Sequence, residues 1–345
     1  MGHFAPAMAE TYSRRLIADP ASDREAAPAA VPLELRDGFA WGGLYRFFTA
    51  SDGVRLRHAY WAAPDHASRK GRVVVLGGRG EFTDKYAGEM VGELLARGFD
   101  VHGLDWRGQG LSQRLLPDAE KGHVEDFGDY ARDLRDYLDQ VVTRLPGVPT
   151  FLLGHSMGGH TILRYLAEHP EQSVAQAAIL CAPMTGLRNA LLIRAALLTA
   201  RKGSPRAHDY ALGAGPFAEI RRFFSDNLVT SDARRYAFTE WWFQADPRLK
   251  LGGVTYQWLH AAFDSIAVLQ SPGMIERIGV PVLLLSAGND KLVDDASHPP
   301  VARRLRHGRL AFYEEAQHEI MMETDEIRAR FWVDFDAFVA ELQPG

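Results

Sequence analysis

Among its 345 residues the chain has a single cysteine, Cys181. No intrachain disulfide framework can exist, so burial, hydrogen bonding and ion pairing must hold the fold. Cys181 ends the apolar run Ala177–Leu180, which marks it as a buried core thiol rather than a nucleophile. Long hydrophobic stretches are also missing. No segment reaches the ~18 uncharged apolar residues that span a bilayer. Near the N-terminus Arg14, Arg15, Asp19 and Asp23 interrupt the apolar core that a secretory signal needs. Excess positive charge is lacking too. The formal net charge of −5 argues against nucleic acid as a partner and disfavours tight docking on anionic membranes. There is no internal repeat and no low-complexity tract. The expectation from these absences is a cytoplasmic globular protein, long enough for one α/β domain with a large insertion or for two domains.

What is present is organised around Thr150–Thr161, TFLLGHSMGGHT. A short apolar run, Phe151–Leu153, enters a tight turn, and a helical pattern leaves it through Ile162–Ala167. Gly154-His155-Ser156-Met157-Gly158 is a G-x-S-x-G pattern set between a strand and a helix, the context in which that pattern denotes a nucleophile elbow. Glycines two before and two after the serine let neighbouring backbones approach. The serine is expected in a strained conformation, with the N–H groups of a helix start behind it.

The remaining chain supplies a rhythm of short buried strands and helices. Tyr45–Thr49 and Val54–Trp61 flank the turn Ser51-Asp52-Gly53 and predict a hairpin. Arg72–Leu76, Asp100–Leu104, Phe151–Leu153, Ala177–Cys181, Val280–Ser286 and Arg309–Phe312 predict strands of a largely parallel sheet covered on both faces. Helices are predicted at about 84–96, 126–144, 301–305 and 325–342. Between Met184 and about Ser271 the alternation stops, and the segment is helix-like and rich in aromatics. The domain reading is a weakly ordered leader over residues 1–30, an α/β core from 31–183 and 272–345, and a helical cap over 184–271. Phe217, Trp241, Trp242 and Trp258 are candidates to line an acyl pocket, or simply to form the cap's own core. Leu187–Ala200 carries leucines broken by Arg188 and Arg194, and reads either as an ordinary cap helix or as one resting on a membrane interface.

A serine hydroxyl needs a base, and the base needs an orienting acid. With the nucleophile after a middle strand, the partners follow in the order Ser…Asp…His, at the carboxyl ends of strands. Asp290, four residues past Ser286, suits the acid better than Asp294 or Asp295, which fit a helix start. His318 follows the last strand at the catalytic edge. His307 precedes that strand at the wrong end, and His298 adjoins Pro299-Pro300 in the turn or helix start after Asp290. For the oxyanion hole the N–H of Met157 and one from Gly77–Phe82, with Arg79 foremost, are the expected donors. Gly78-x-Gly80 fails as a dinucleotide fingerprint, because Thr83 occupies its third position. His155 and His160 flank the elbow without a third ligand at metal spacing.

These stretches resemble the α/β-hydrolase superfamily, and within it the bacterial lysophospholipase L2 and monoacylglycerol lipase group. FLLGHSMGG at Phe151–Gly159, Gly80-Glu81-Phe82 through Tyr86, DWRGQGLS at Asp105–Ser112 and GHVEDFGDY at Gly122–Tyr130 carry the likeness. DYALGAGPF at Asp209–Phe217 and DPRLKLGGVTYQWL at Asp246–Leu259 are its most discriminating parts, and it extends over roughly residues 45 to 340. The resemblance implies Ser156 as nucleophile, His318 as base, Asp290 as acid, and Arg79 and Met157 as oxyanion donors. It further implies hydrolysis of one acyl ester on a glycerol-based lipid, without metal or organic cofactor. One position departs: Gly77-Gly78 stands where monoacylglycerol lipases often have His-Gly. A general carboxylesterase or small-peptide hydrolase is the nearest competing activity, and a non-catalytic binding module on the same scaffold the competitor of another class.

Overall fold

The computed structural model describes residues 42–64, 69–142, 147–220 and 223–342. The leader expected over residues 1–30 lies outside them. Eight strands form one sheet: β1 (Leu44–Thr49), β2 (Arg55–Trp61), β3 (Gly71–Leu76), β4 (Phe99–Leu104), β5 (Thr150–His155), β6 (Ala177–Cys181), β7 (Val282–Ala287) and β8 (Gly308–Tyr313). Their order is β1-β2-β4-β3-β5-β6-β7-β8. The expected hairpin makes β1 and β2 antiparallel, β2 also runs against β4, and every later pairing is parallel.

The helices are α1 (Thr83–Tyr86), α2 (Glu89–Ala96), α3 (Gly128–Tyr137), α4 (Met157–Glu168), α5 (Ala190–Leu197), α6 (Phe217–Ile220), α7 (Ala233–Ala245), α8 (Tyr256–Gln270), α9 (His298–Arg304) and α10 (Asp325–Ala340). The central strands β3, β5, β6 and β7 are buried along their whole length because both sheet faces are covered, and successive side chains serve opposite layers. Val73, Val75, Phe151, Leu153, Leu283 and Leu285 pack with α2 and α10. Val74, Leu76, Leu152, Val282 and Leu284 pack with α3, α4 and α9. Cys181 is fully buried, as its place in the sequence suggested.

Two helix expectations change. The helix expected at about 84–96 is two pieces, broken at Ala87-Gly88, where Phe238 of α7 presses within 3.0 Å of the place a Gly88 Cβ would take. The helix expected over 126–144 starts at Gly128 and widens into a π-helical turn at Leu138–Val142. Between β6 and β7 the described residues hold helices and loops and no strand. Among the described residues, no helix is long and apolar enough to cross a membrane.

The parallel strands deliver their carboxyl ends to one edge, where the loops after β3, β4, β5, β7 and β8 meet. A wholly buried ion cluster joins the first two. Arg57 of β2 pairs with Asp84 at 2.5 Å and with Asp105 at 3.2 Å. Asp105 also accepts from the Thr83 amide at 2.7 Å, the Thr83 hydroxyl at 2.8 Å and the Leu111 amide at 2.8 Å. Removing one member of a buried ion cluster leaves the others charged and desolvated. Arg57→Met should therefore lower stability by about 3–5 kcal/mol, read as a reduced denaturant midpoint with unchanged slope. A variant as stable as the parent would show that the cluster does not fasten these loops.

Candidate active site

Ser156 joins β5 to α4 at φ 51° and ψ −115°, a region that non-glycine residues rarely occupy. Its neighbours hold it there. The Ser156 amide donates to Cys181 O at 3.0 Å, and its carbonyl accepts from His160 N and Met184 N, each at 3.0 Å. The turn fits only because Gly158 has no side chain: a Cβ there would lie 2.2 Å from Leu76 O and 2.6 Å from Gly77 O. The end of β3 can thus lie directly against the start of α4. Ser156 as a whole is 8% exposed.

Asp290 and His318 are brought together by the loops after β7 and β8. Gly288 N donates to Tyr313 O at 2.9 Å and Asn289 N to Ala316 O at 3.0 Å, so the two loops run side by side. Asp290 is buried and accepts His318 Nδ1–H on Oδ2 at 2.6 Å, and Leu292 N and Val293 N on Oδ1 at 2.8 and 2.9 Å. Burial opposes its ionisation, yet the His318 hydrogen bond and the two amides hold the carboxyl below its usual range. The competing residues are used otherwise. Asp295 pairs with Arg188, and His307 is exposed at the start of β8. His298 is buried between Ser286 Oγ, 2.7 Å from Nδ1, and Pro183 O, 2.9 Å from Nε2.

His155, directly before the serine, links the elbow to both neighbouring loops. Its ring lies 4.6 Å from that of His318, and Nε2 donates to His318 O at 3.1 Å. Nδ1 donates to Glu81 Oε2 at 2.9 Å. A carboxylate and a carbonyl only accept, so both ring nitrogens carry hydrogen and His155 is an imidazolium. Burial disfavours that charge, but Glu81 outweighs it and raises the imidazole above its ordinary value. Glu81 also accepts from Lys85 Nζ at 2.6 Å, Tyr86 OH at 2.6 Å and the Gly78 amide. Burial works against its ionisation, and the Lys85 and His155 charges nonetheless hold it well below the usual carboxylate range. Lys85 in turn meets Glu319, next to His318, at 2.7 Å.

The loop after β3 faces the serine closely: a Cβ on Gly78 would lie 3.0 Å from Ser156 Cβ. Within it, Gly78 N donates to Glu81 Oε2, Gly80 N to Gln109 Oε1 at 3.3 Å and Glu81 N to Gly78 O at 3.4 Å. The Arg79 amide, between them, meets no acceptor among the described residues. Met157 N is the first amide of α4, without an acceptor inside its own helix. The Arg79 side chain turns away, donating to Gly252 O with its guanidinium 6.0 Å from the Trp258 ring.

The aromatic candidates divide. Trp242 and Trp258 are core residues, the former against Phe82 at 6.4 Å and the latter against Phe127 at 5.2 Å. Trp241 and Phe217 are half-buried, and the Phe217 ring meets that of Phe243 at 4.9 Å with their planes tilted by 58°. Phe223 is instead 78% exposed. His160 is buried on Ser265 Oγ at 2.6 Å, and burial pushes it down to about 3.

His155→Ala should cost about 3 kcal/mol, because it leaves Glu81 with one fewer counter-charge in the interior. A raised folded value means that the contribution of His155 is fully present below the unfolded value near 6.5 and is lost as pH climbs through the folded one. The stability gap between parent and variant should therefore narrow in alkaline solution. Denaturant titrations across pH test this, and a gap independent of pH would contradict the imidazolium.

Residues 67–325 match the family model described as "Serine aminopeptidase, S33". The chain is 33% identical to lysophospholipase L2 of Escherichia coli K12 over 296 residues, covering 82% of this chain and 83% of that protein. It is 25% identical to human monoglyceride lipase over 297 residues, covering 84% and 88%. Among solved structures, a soluble variant of Saccharomyces cerevisiae monoglyceride lipase superposes with a TM-score of 0.71 at 21% identity, over 92% of this chain and 99% of that one. An identity that low speaks to the fold alone. With three quarters of its length matched by the family model and a relative one-third identical across most of both chains, this protein belongs to the serine aminopeptidase S33 family of α/β-hydrolases.

Proposed function

We propose that the chain hydrolyses the acyl ester of a lysophospholipid or monoacylglycerol. Ser156 attacks the ester carbonyl while His318 takes its proton, and the proton is then given to the departing alcohol. Asp290 fixes the imidazole tautomer and balances the charge that forms on it. The amides of Met157 and Arg79 receive the oxyanion. Water then cleaves the acyl-enzyme by the same route. The observation that carries this reading is the Asp290–His318 hydrogen bond of 2.6 Å, held through His155 beside a serine at positive φ. The choice of lipid ester is supported by the relatives named lysophospholipase and monoglyceride lipase. The family model's description names an aminopeptidase, which keeps peptide amides as the second reading.

The helical segment 184–271 is read as a cap over this edge. On α5 and just after it Leu191, Leu192 and Leu198 are 84%, 73% and 88% exposed, with the exposed Arg194 between them. A helix surface of that composition supports shallow contact with a lipid interface, from which a single-chain lipid could be drawn.

Ser156→Ala should reduce ester turnover by about 10⁶ and abolish fluorophosphonate labelling, with folding intact. Asp290→Asn should cost about 10⁴ in kcat. Competition against labelling by lysophospholipids, monoacylglycerols and peptide amides ranks the substrates. Protection by amides alone would reverse the assignment. Leu191→Glu with Leu192→Glu should weaken sedimentation with phosphatidylcholine vesicles at least tenfold, while turnover of a soluble short-chain ester stays level. Equal vesicle binding by parent and variant would remove α5 from the interface.

A further inference from the structure

The seam between the loop after β4 and the inserted helices carries a cluster that ester hydrolysis does not use. His123 and Glu125 stand two residues apart in that loop, and His208 comes from the inserted segment. Glu125 Oε1 lies 3.1 Å from Nε2 of His123 and 3.1 Å from Nε2 of His208. One ligand atom from each residue falls within 4.8 Å of the others, and the two imidazoles meet edge to face at 4.9 Å. His123 is buried, whereas Glu125 and His208 reach the surface, so the cluster is open to ions from solvent.

The spacing suits a small metal ion. Bonds of about 2.0–2.1 Å at tetrahedral angles separate ligand atoms by ~3.3–3.4 Å, so the two contacts of 3.1 Å need only a few tenths of an ångström of adjustment. The second nitrogen of His123 is already oriented. Nδ1 lies 3.0 Å from Thr255 Oγ1, a hydroxyl that accepts from Trp258 N at 3.1 Å and donates to Gly122 O at 3.3 Å. Thr255 Oγ1 therefore accepts Nδ1–H, and Nε2, which meets Glu125 Oε1 through its own hydrogen, is the nitrogen whose proton a metal ion would replace. Metal-binding histidines are fixed by such partners.

We propose that His123, Glu125 and His208 form a binding site for one Zn²⁺-class divalent ion, with water as the fourth ligand, that clips the inserted segment to the core. Two imidazoles and one carboxylate select transition metals over Mg²⁺ and Ca²⁺, which prefer all-oxygen sets. The clip adds to backbone bonds already crossing this seam, Gly122 N to Gly253 O and Thr255 N to Gly122 O, each 2.9 Å.

The full chain, stripped with chelator, is titrated calorimetrically with ZnCl₂ and, separately, with Co²⁺ followed by its visible absorption. One saturable equivalent, four-coordinate Co²⁺ bands and a Tm that rises with Zn²⁺ but not with Mg²⁺ are expected. His208→Ala and Glu125→Gln alter surface side chains and should fold normally. Each should lose that equivalent and the Tm rise. Variants that bind Zn²⁺ as the parent does would assign the ion to other histidines and overturn the proposal. A parent without a saturable equivalent would reduce the cluster to a hydrogen-bonded ion pair and overturn it equally.

Discussion

One buried carboxylate holds the catalytic edge together. Glu81 draws the Gly78 amide, the Tyr86 hydroxyl, the Lys85 ammonium and the His155 imidazolium onto two oxygens. Through Gly78 it shapes the loop that faces the serine, and through His155 it reaches the backbone of His318. Lys85 closes the circuit by way of Glu319. Three loops from three strand ends are thus referenced to one charge. In a low-dielectric interior such a network is strong when every member is satisfied and costly when one is missing. Positional accuracy at a hydrolytic site depends on that stiffness, since small misplacements of reacting groups are expensive.

The sheet explains why the circuit is possible. Parallel strands turn all their carboxyl ends one way, so residues far apart in sequence arrive at one edge without long connections. Gly158 brings the end of β3 against the start of α4, and the paired loops after β7 and β8 bring Asp290 to His318. The ion cluster of Arg57, Asp84 and Asp105 serves the other side of the edge by tying α1 to the loop after β4.

Much of this was legible in the sequence, for a physical reason. Strands covered on both faces read as short apolar runs, and Ser156, Asp290 and His318 each stand a few residues past one, so local pattern placed them at a common edge. The partners of His155 were not legible. They lie 74 and 163 residues away, and no periodicity encodes a pairing of that range. The same holds for His208, which is 83 residues from Glu125. At the break between α1 and α2, Phe238 of a distant helix takes the space a Gly88 side chain would fill, a contact no local pattern encodes. Composition of the inserted segment could not tell inward aromatics from outward ones: Trp242 is core while Phe223 is largely in solvent.

The backbone of Ser156 has one further consequence. At φ 51° and ψ −115° any side chain strains the main chain, by about 1–3 kcal/mol. Glycine alone rests there comfortably, so the most stable occupant of the position is one without a hydroxyl. Under the mechanism proposed for Ser156, a change toward stability at this position would remove the attacking hydroxyl while improving the fold. On that reading stability and turnover pull in opposite directions at this corner, and glycine at 156 would raise the melting temperature as it removes the nucleophile.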